Sequence, residues 1–324
     1  VTSASGKAGL LQAVQKFRDG LSANDPAPVH VAAVAVKLAD LGFTEIVTDG
    51  LRIDAKFSDG FPVTIVFQNT FGLPLDPNTV LGTFEPLLPV VEEGVNPDPI
   101  QTVNPVPTSL REQLPAAGRA FVLEMFPTAD QASHIILSQF GGSEVDSTLS
   151  AKQLQNAGYS VTHLRSADIA TLRGAPFNNG QIEVLVLFSH GNSGKFSSLG
   201  QNEVGPALPH VVATNQVVDF QRFNNLDFDA QLKDDILQNR VHLVNINTIT
   251  DNLTTGVTLG LARPSTWLLA ITPAFVEKYW KFAPSSFMYD GCCFGSADLP
   301  WRQALFGAGL TRYLGWSQSV LNPL

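Results

Sequence analysis

Two thiols stand side by side at Cys292 and Cys293 in YDGCCFG, residues 289–295, and the chain has no other cysteine. The attacking species in cysteine chemistry is the thiolate, so a nucleophilic cysteine needs a base or a cation close by. Imidazole meets that need because it titrates near neutrality. His190, in LFSHGNSG, shares the setting of the cysteines: an apolar run before it and a glycine after it. Glycines beside both residues let the backbone approach a substrate, and free N–H groups there are suited to holding an oxyanion. On residue type alone Cys292 and Cys293 are equal candidates for the nucleophile. Small thiols also pack in cores, and a vicinal disulfide demands a strained ring.

The other histidines, His30, His134, His163, His210 and His242, are scattered without metal-ligand spacing, and GNSGKFSS does not meet the phosphate-loop pattern. No metal, nucleotide or other cofactor is expected. DFDAQLKDD at 227–235 lacks the spacing and central glycine of a calcium loop and reads as a solvated helix start.

Elements must bring His190 and the cysteines together, and the chain reads as α/β. IEVLVLF at 182–188 is the strongest strand, and SHGNSG follows it; SSFMY at 285–289 is another, and DGCCFG follows it. RAFVLEMF (119–126) and TWLLAI (266–271) are further buried strands, ADQASHIILSQF (129–140) is helical, and LSAKQLQNAGYSVTHL gives a helix, a Gly-Tyr turn and a strand. Near-continuous apolar runs separated by helices indicate a parallel sheet covered on both faces, with its site at the carboxyl ends of the strands. Upstream, Leu10, Leu11, Val14, Phe17 and Leu21, then Val31, Val34, Leu38 and Leu41, recur at helical spacing. RIDAKF, SDG and VTIVF (52–67) form a hairpin. Residues 1–72 are thus expected to be a small α+β module. Residues 73–117, where eight of the 21 prolines crowd between Pro74 and Pro107, are expected to be a linker or wrapping arm, and 118–324 the second domain.

Composition narrows the partners. A net charge of −9 with no basic run disfavours nucleic acid and anionic membranes, and no apolar run approaches the roughly 20 residues of a membrane span. The chain opens on Val1 rather than Met, which fits either removal of a signal segment or a shortened chain, so a soluble secreted or periplasmic protein is one expectation and the compartment stays open.

The order of the two loops carries a resemblance. VLVLFSHG and FMYDGCCFG, histidine first and cysteine second, each after an apolar strand, resemble the caspase-like cysteine peptidases, the group that holds caspases, metacaspases, legumains, gingipains and bacterial CHAT domains. WRQALFGAGLTRYLGWS at 301–317 is similar to the helix and strand that follow the cysteine loop in many bacterial members, so the likeness spans about 118–320. It implies a three-layer α/β/α domain with a mostly parallel sheet, and a cysteine endopeptidase acting on protein or peptide substrates. Cys292 would be the nucleophile and His190 its partner. The N–H groups of Gly191 and Cys292 would form the oxyanion hole, and Asp290 would line an acidic S1 pocket selecting Arg or Lys. Asp290 read by itself is equally suited to binding N–H groups within its own loop. The separation of His190 from Cys292 is about twice the roughly 50 residues of caspases, which implies an insertion over about 196–265.

Two other readings stand beside this one. GCCFG at 291–295 also resembles the G-x-C-x-G elbow of cysteine-bearing α/β-hydrolases, which would make Cys293 the nucleophile of an esterase. That order requires a histidine after the cysteine, and His242 is the last in the chain. A catalytically silent relative used for protein interaction is the third.

Overall fold

The helical spacing at the start of the chain is realised as α1 (Ala4–Asp19) and α2 (Ala27–Asp40). Ala8, Leu11 and Val14 of α1, and Val31, Val34 and Leu38 of α2, are buried as stripes with helical period. Gly42, at φ +83°, ends α2 in the left-handed turn that glycine tolerates, and the Phe43 N–H donates back to the Leu38 carbonyl. The computed structural model describes residues 4–22, 25, 27–49, 52–69, 118–125, 146–189, 191–192, 209–218, 230–249, 266–292 and 295–316. The expected helix at 129–140 and the proline-rich stretch at 73–117 lie outside these residues. The remaining described helices are α3 (Asp146–Asn156), α4 (Ile169–Arg173), α5 (Ala175–Asn178), α6 (Ala230–Leu237), α7 (Pro273–Tyr279) and α8 (Leu299–Gly307). The strands are β1 (Thr44–Asp49), β2 (Arg52–Lys56), β3 (Pro62–Asn69), β4 (Arg119–Glu124), β5 (Ser160–Leu164), β6 (Ile182–Phe188), β7 (Gly191–Asn192), β8 (Val211–Val217), β9 (Val241–Ile249), β10 (Thr266–Ile271), β11 (Phe282–Asp290) and β12 (Arg312–Gly315). Among the described residues no helix is long and apolar enough to cross a membrane.

The chain divides into two compact units, Val1–Leu87 with Gly191–Phe275, and Leu88–His190 with Val276–Leu324. The first holds a seven-stranded mixed sheet in the order β1-β2-β3-β9-β10-β8-β7. The expected hairpin is present as β2 and β3, paired from Arg52↔Val66 to Lys56↔Pro62. β3 then pairs in parallel with β9, from Val63↔Leu243 to Asn69↔Ile249. Arg18 anchors α1 to this junction. Its guanidinium donates to the Val66 carbonyl (2.7 Å) and to the Asn245 side chain, and lies 4.1 Å from the Phe67 ring centroid. Burial pulls its pKa down to about 9, against the opposing charge of Asp19. Across β2, β3 and β9 runs a buried polar chain: Arg52 clasps Asp54 through two nitrogens, Thr64 Oγ1 donates to Asp54 Oδ1 (2.6 Å), and His242 Nδ1 lies 3.0 Å from Thr64 Oγ1. The Thr64 proton goes to Asp54, so the ring nitrogen must be the donor to Thr64 Oγ1. His242 therefore carries its hydrogen on Nδ1.

These units differ from the boundaries read from sequence. The amino-terminal helices and hairpin do not stop at residue 72 as a separate module, because β3 finds its second neighbour in β9, inside the segment expected as an insertion. TWLLAI, expected in the parallel sheet, is β10 and runs antiparallel to both β8 and β9. Within DFDAQLKDD, α6 begins at Ala230, and Asp235 is buried against Arg240 (3.0 Å) rather than solvated.

The second unit holds a five-stranded sheet in the order β12-β11-β6-β4-β5, with every neighbouring pair parallel. Counted along the chain within this sheet, that is the doubly wound order 2-1-3-4-5, whose switch point falls between β4 and β6. Residues on both faces of β6 are buried, which is why it reads as an unbroken apolar run from Val184 to Phe188. On one face Ala120, Val122, Val184 and Val186 meet Ala151 of α3. In the same unit Phe177 stacks on Trp280 (5.6 Å between centroids), and Trp280 meets Trp301 edge-on (6.5 Å). The helix and strand expected after the cysteine loop are α8 and β12. Asp298 caps α8 by accepting the Trp301 N–H (2.8 Å), and Pro300 sits in its first turn.

Candidate functional site

β6 and β11 are adjacent and parallel, paired from Phe287↔Val184 to Asp290↔Leu187. The Gly291 N–H extends the ladder one step further, donating to the Leu187 carbonyl at 2.7 Å. Only glycine fits there, because a Cβ would lie 2.8 Å from that carbonyl and 2.9 Å from the Phe188 ring. Consequently Ser189, the residue before His190, and Cys292 leave neighbouring strands at the same carboxyl edge. His190 and Cys293 lie outside the described residues. Gly191, expected to share the oxyanion hole, opens β7 opposite Val212 and belongs to the first unit.

Asp290 organises the cysteine loop from below. Its side chain is fully buried, and its Oδ1 accepts the Cys292 N–H at 3.1 Å, an Asx turn closed two residues on. Oδ2 accepts Trp301 Nε1–H at 2.9 Å and Tyr313 O–H at 2.7 Å, and the carboxylate takes a further hydrogen bond from the Cys292 thiol. Burial pushes the carboxyl pKa up, and these donors partly offset the shift. Tyr313 is raised well above the ordinary phenol range, first by burial and then by the charge of Asp290. Two glycines make room for the cluster: a Cβ on Gly295 would collide with Asp290 and Tyr313, and one on Gly315 would lie 2.6 Å from the Tyr313 hydroxyl.

Three expectations meet this geometry. Cys292 is at the carboxyl end of β11 as the pattern required, but it is 0% exposed. Its N–H is bonded to Asp290 and is not available to an oxyanion in this arrangement. Asp290 does not face outward as an S1 acid, since a basic side chain has no access to a carboxylate that is buried and already bound by internal donors. Of the two roles open to Asp290 in the sequence, the loop-binding one is realised.

Trp301 and Tyr313 were not singled out from sequence as site residues. Their signal was indirect: a carboxylate at the end of an apolar strand needs donors when buried, and both lie in the elements expected to follow the loop. Glu124, the last residue of β4, is also nearly buried, lies opposite Phe188 and accepts a hydrogen bond from Ser147 of α3 (2.6 Å). It brings a second carboxylate to the carboxyl edge, beside the switch point. Among the described residues no group of three or more His, Cys, Asp or Glu side chains is arranged to hold a metal ion. Comparison with family models, with curated proteins and with solved structures returned no match.

Proposed function

We propose that the chain is a cysteine endopeptidase of caspase-like type, with Cys292 as nucleophile and His190 as its proton partner. The observation that carries this reading is the pairing of β6 with β11 in one parallel sheet, which brings Ser189, the residue before His190, and Cys292 to the same edge. The thiol proton would pass to His190 as sulfur bonds to the peptide carbonyl carbon. His190 would then protonate the departing amine, and water would release the acid from the thioester. Glu124, at the end of the strand beside β6, is a carboxylate suited to steadying an imidazolium. A preference for Arg or Lys is not part of the proposal, because its acid lies beneath the loop.

A catalytically silent interaction domain is the alternative, and the complete burial of Cys292 favours it. Incubation with an unbiased peptide library, read by mass spectrometry, separates the readings. Cleavage that is lost in Cys292→Ala and in His190→Ala but kept in Cys293→Ala supports the peptidase. No cleavage by the native protein, with thiol labelling indifferent to His190→Ala, overturns it in favour of the silent domain. Ester turnover that survives Cys292→Ala and not Cys293→Ala would assign the chemistry to the second cysteine.

A further inference from the structure

A nucleophilic Cys292 has two groups to offer a substrate: the sulfur that attacks and the backbone N–H that steadies the oxyanion. Both are directed at Asp290. Oδ1 stands on the Cys292 N–H where a tetrahedral oxyanion would stand, and the thiol donates to the same carboxylate. The carboxylate is in turn fixed by Trp301 from α8 and Tyr313 from β12, with Gly295 and Gly315 closing the space around it. We propose that Asp290 is a positioning residue that acts through Cys292 as an internal substitute for the oxyanion, withholding nucleophile and N–H together until a substrate displaces it. For its catalytic consequence this rests on the peptidase reading; for its test it does not.

The charge of Asp290 is what makes the contact restraining. A carboxylate holding the thiol proton opposes thiolate formation, both by stabilising the neutral thiol and by like charge. Among the described residues, the titratable groups facing it are the Cys292 thiol from its own loop and Tyr313 from β12. Trp301 donates without titrating, Leu187 of β6 is neutral, and Asp298 is engaged at the Trp301 backbone N–H. The raised pKa of Asp290 brings its ionisation towards the range in which thiols are assayed.

The test is the rate of alkylation by iodoacetamide in a Cys293→Ala background, where Cys292 is the sole thiol, followed from pH 4 to 9. In Asp290→Asn an acceptor for the N–H remains and the charge is gone, so alkylation at pH 7 should quicken about ten- to a hundredfold, the size of one charge-assisted hydrogen bond. Its pH profile should also move down by about one unit or more. Tyr313→Phe breaks a contact of the same cluster while keeping the charge, and should leave Cys292 slow. Equal acceleration in both variants without a change of pH profile means mere loosening of the loop and overturns the proposal, as does a slower or unchanged Asp290→Asn. Should Asp290→Asn fail to fold, the Cys293→Ala protein alone decides. The logarithm of its rate should flatten against pH where Asp290 ionises, and a straight line of unit slope refutes the coupling. Labelling needs no turnover, so a protein that cleaves nothing would sink the peptidase reading and leave this result standing.

Discussion

His242 is buried with its Nδ1–H on Thr64, while Nε2 is enclosed and has no hydrogen-bond partner among the described residues. Protonation would place a charge on that enclosed nitrogen. Burial lowers the pKa from 6.5 to about 4, with Asp54 opposing the shift and Arg52 adding to it. Between those values the unfolded chain binds a proton that the folded chain refuses, so stability falls as pH drops through 6.5 and the loss is complete below about 4. At pH 5 the cost is about 2 kcal/mol, roughly thirtyfold in an opening equilibrium. Amide hydrogen exchange read on peptides covering β9 measures it, with β6 in the same molecule as the internal reference. After correction for intrinsic exchange rates, protection of 241–249 should fall about twentyfold between pH 7 and pH 5 in the native protein and change far less in His242→Gln. Gln can still donate to Thr64 but cannot take up a proton. Equal losses in the two proteins would refute the reasoning, since Asp54 and every other acid remain in both.

Packing yields two further expectations, both read by chemical denaturation. Gly291→Ala should cost about 1–3 kcal/mol, because its methyl group meets the Leu187 carbonyl and the Phe188 ring, whereas Gly307→Ala, whose methyl group meets nothing within 4 Å, should be neutral or stabilising. Trp280→Ala should cost about 3–5 kcal/mol, since the ring is 1% exposed, stacks on Phe177 and donates to the Leu172 carbonyl (3.2 Å).

Local structure was legible wherever a period or a turn signal was strong. The stripes of α1 and α2 and the SDG turn are local properties, and a helix or hairpin forms from them wherever the segment ends up. β1 escaped notice because Thr44 and Glu45 are exposed and the strand is irregular, with Glu45 at φ +49° and a register shift between Thr44 and Val47. Strand direction was not legible. TWLLAI is buried on both faces, so it has no alternation, and an apolar run reads the same whether its neighbours are parallel or antiparallel. The site was legible in its order along the chain and in its strands, but not in its depth. Whether Asp290 looks outward or inward depends on Trp301 and Tyr313, and a spacing pattern does not reveal which carboxylate they reach.

The union of β3 with β9 bears on how the protein is made. Pairings such as Ile65↔Asn245 join positions far apart in the chain, and contacts of that range are formed late and slowly. During synthesis at about 5–20 residues per second, the ribosome needs roughly ten to thirty-five seconds after β3 to produce the strand that covers it. Through that interval PVTIVFQN offers an apolar, uncharged ribbon with one side unpaired, the kind of edge to which another nascent chain adds. The emerging chain is therefore expected to depend on shielding by chaperones until residue 249 has emerged. An amino-terminal fragment ending before β9 would keep that edge permanently and precipitate rather than persist as a small folded module.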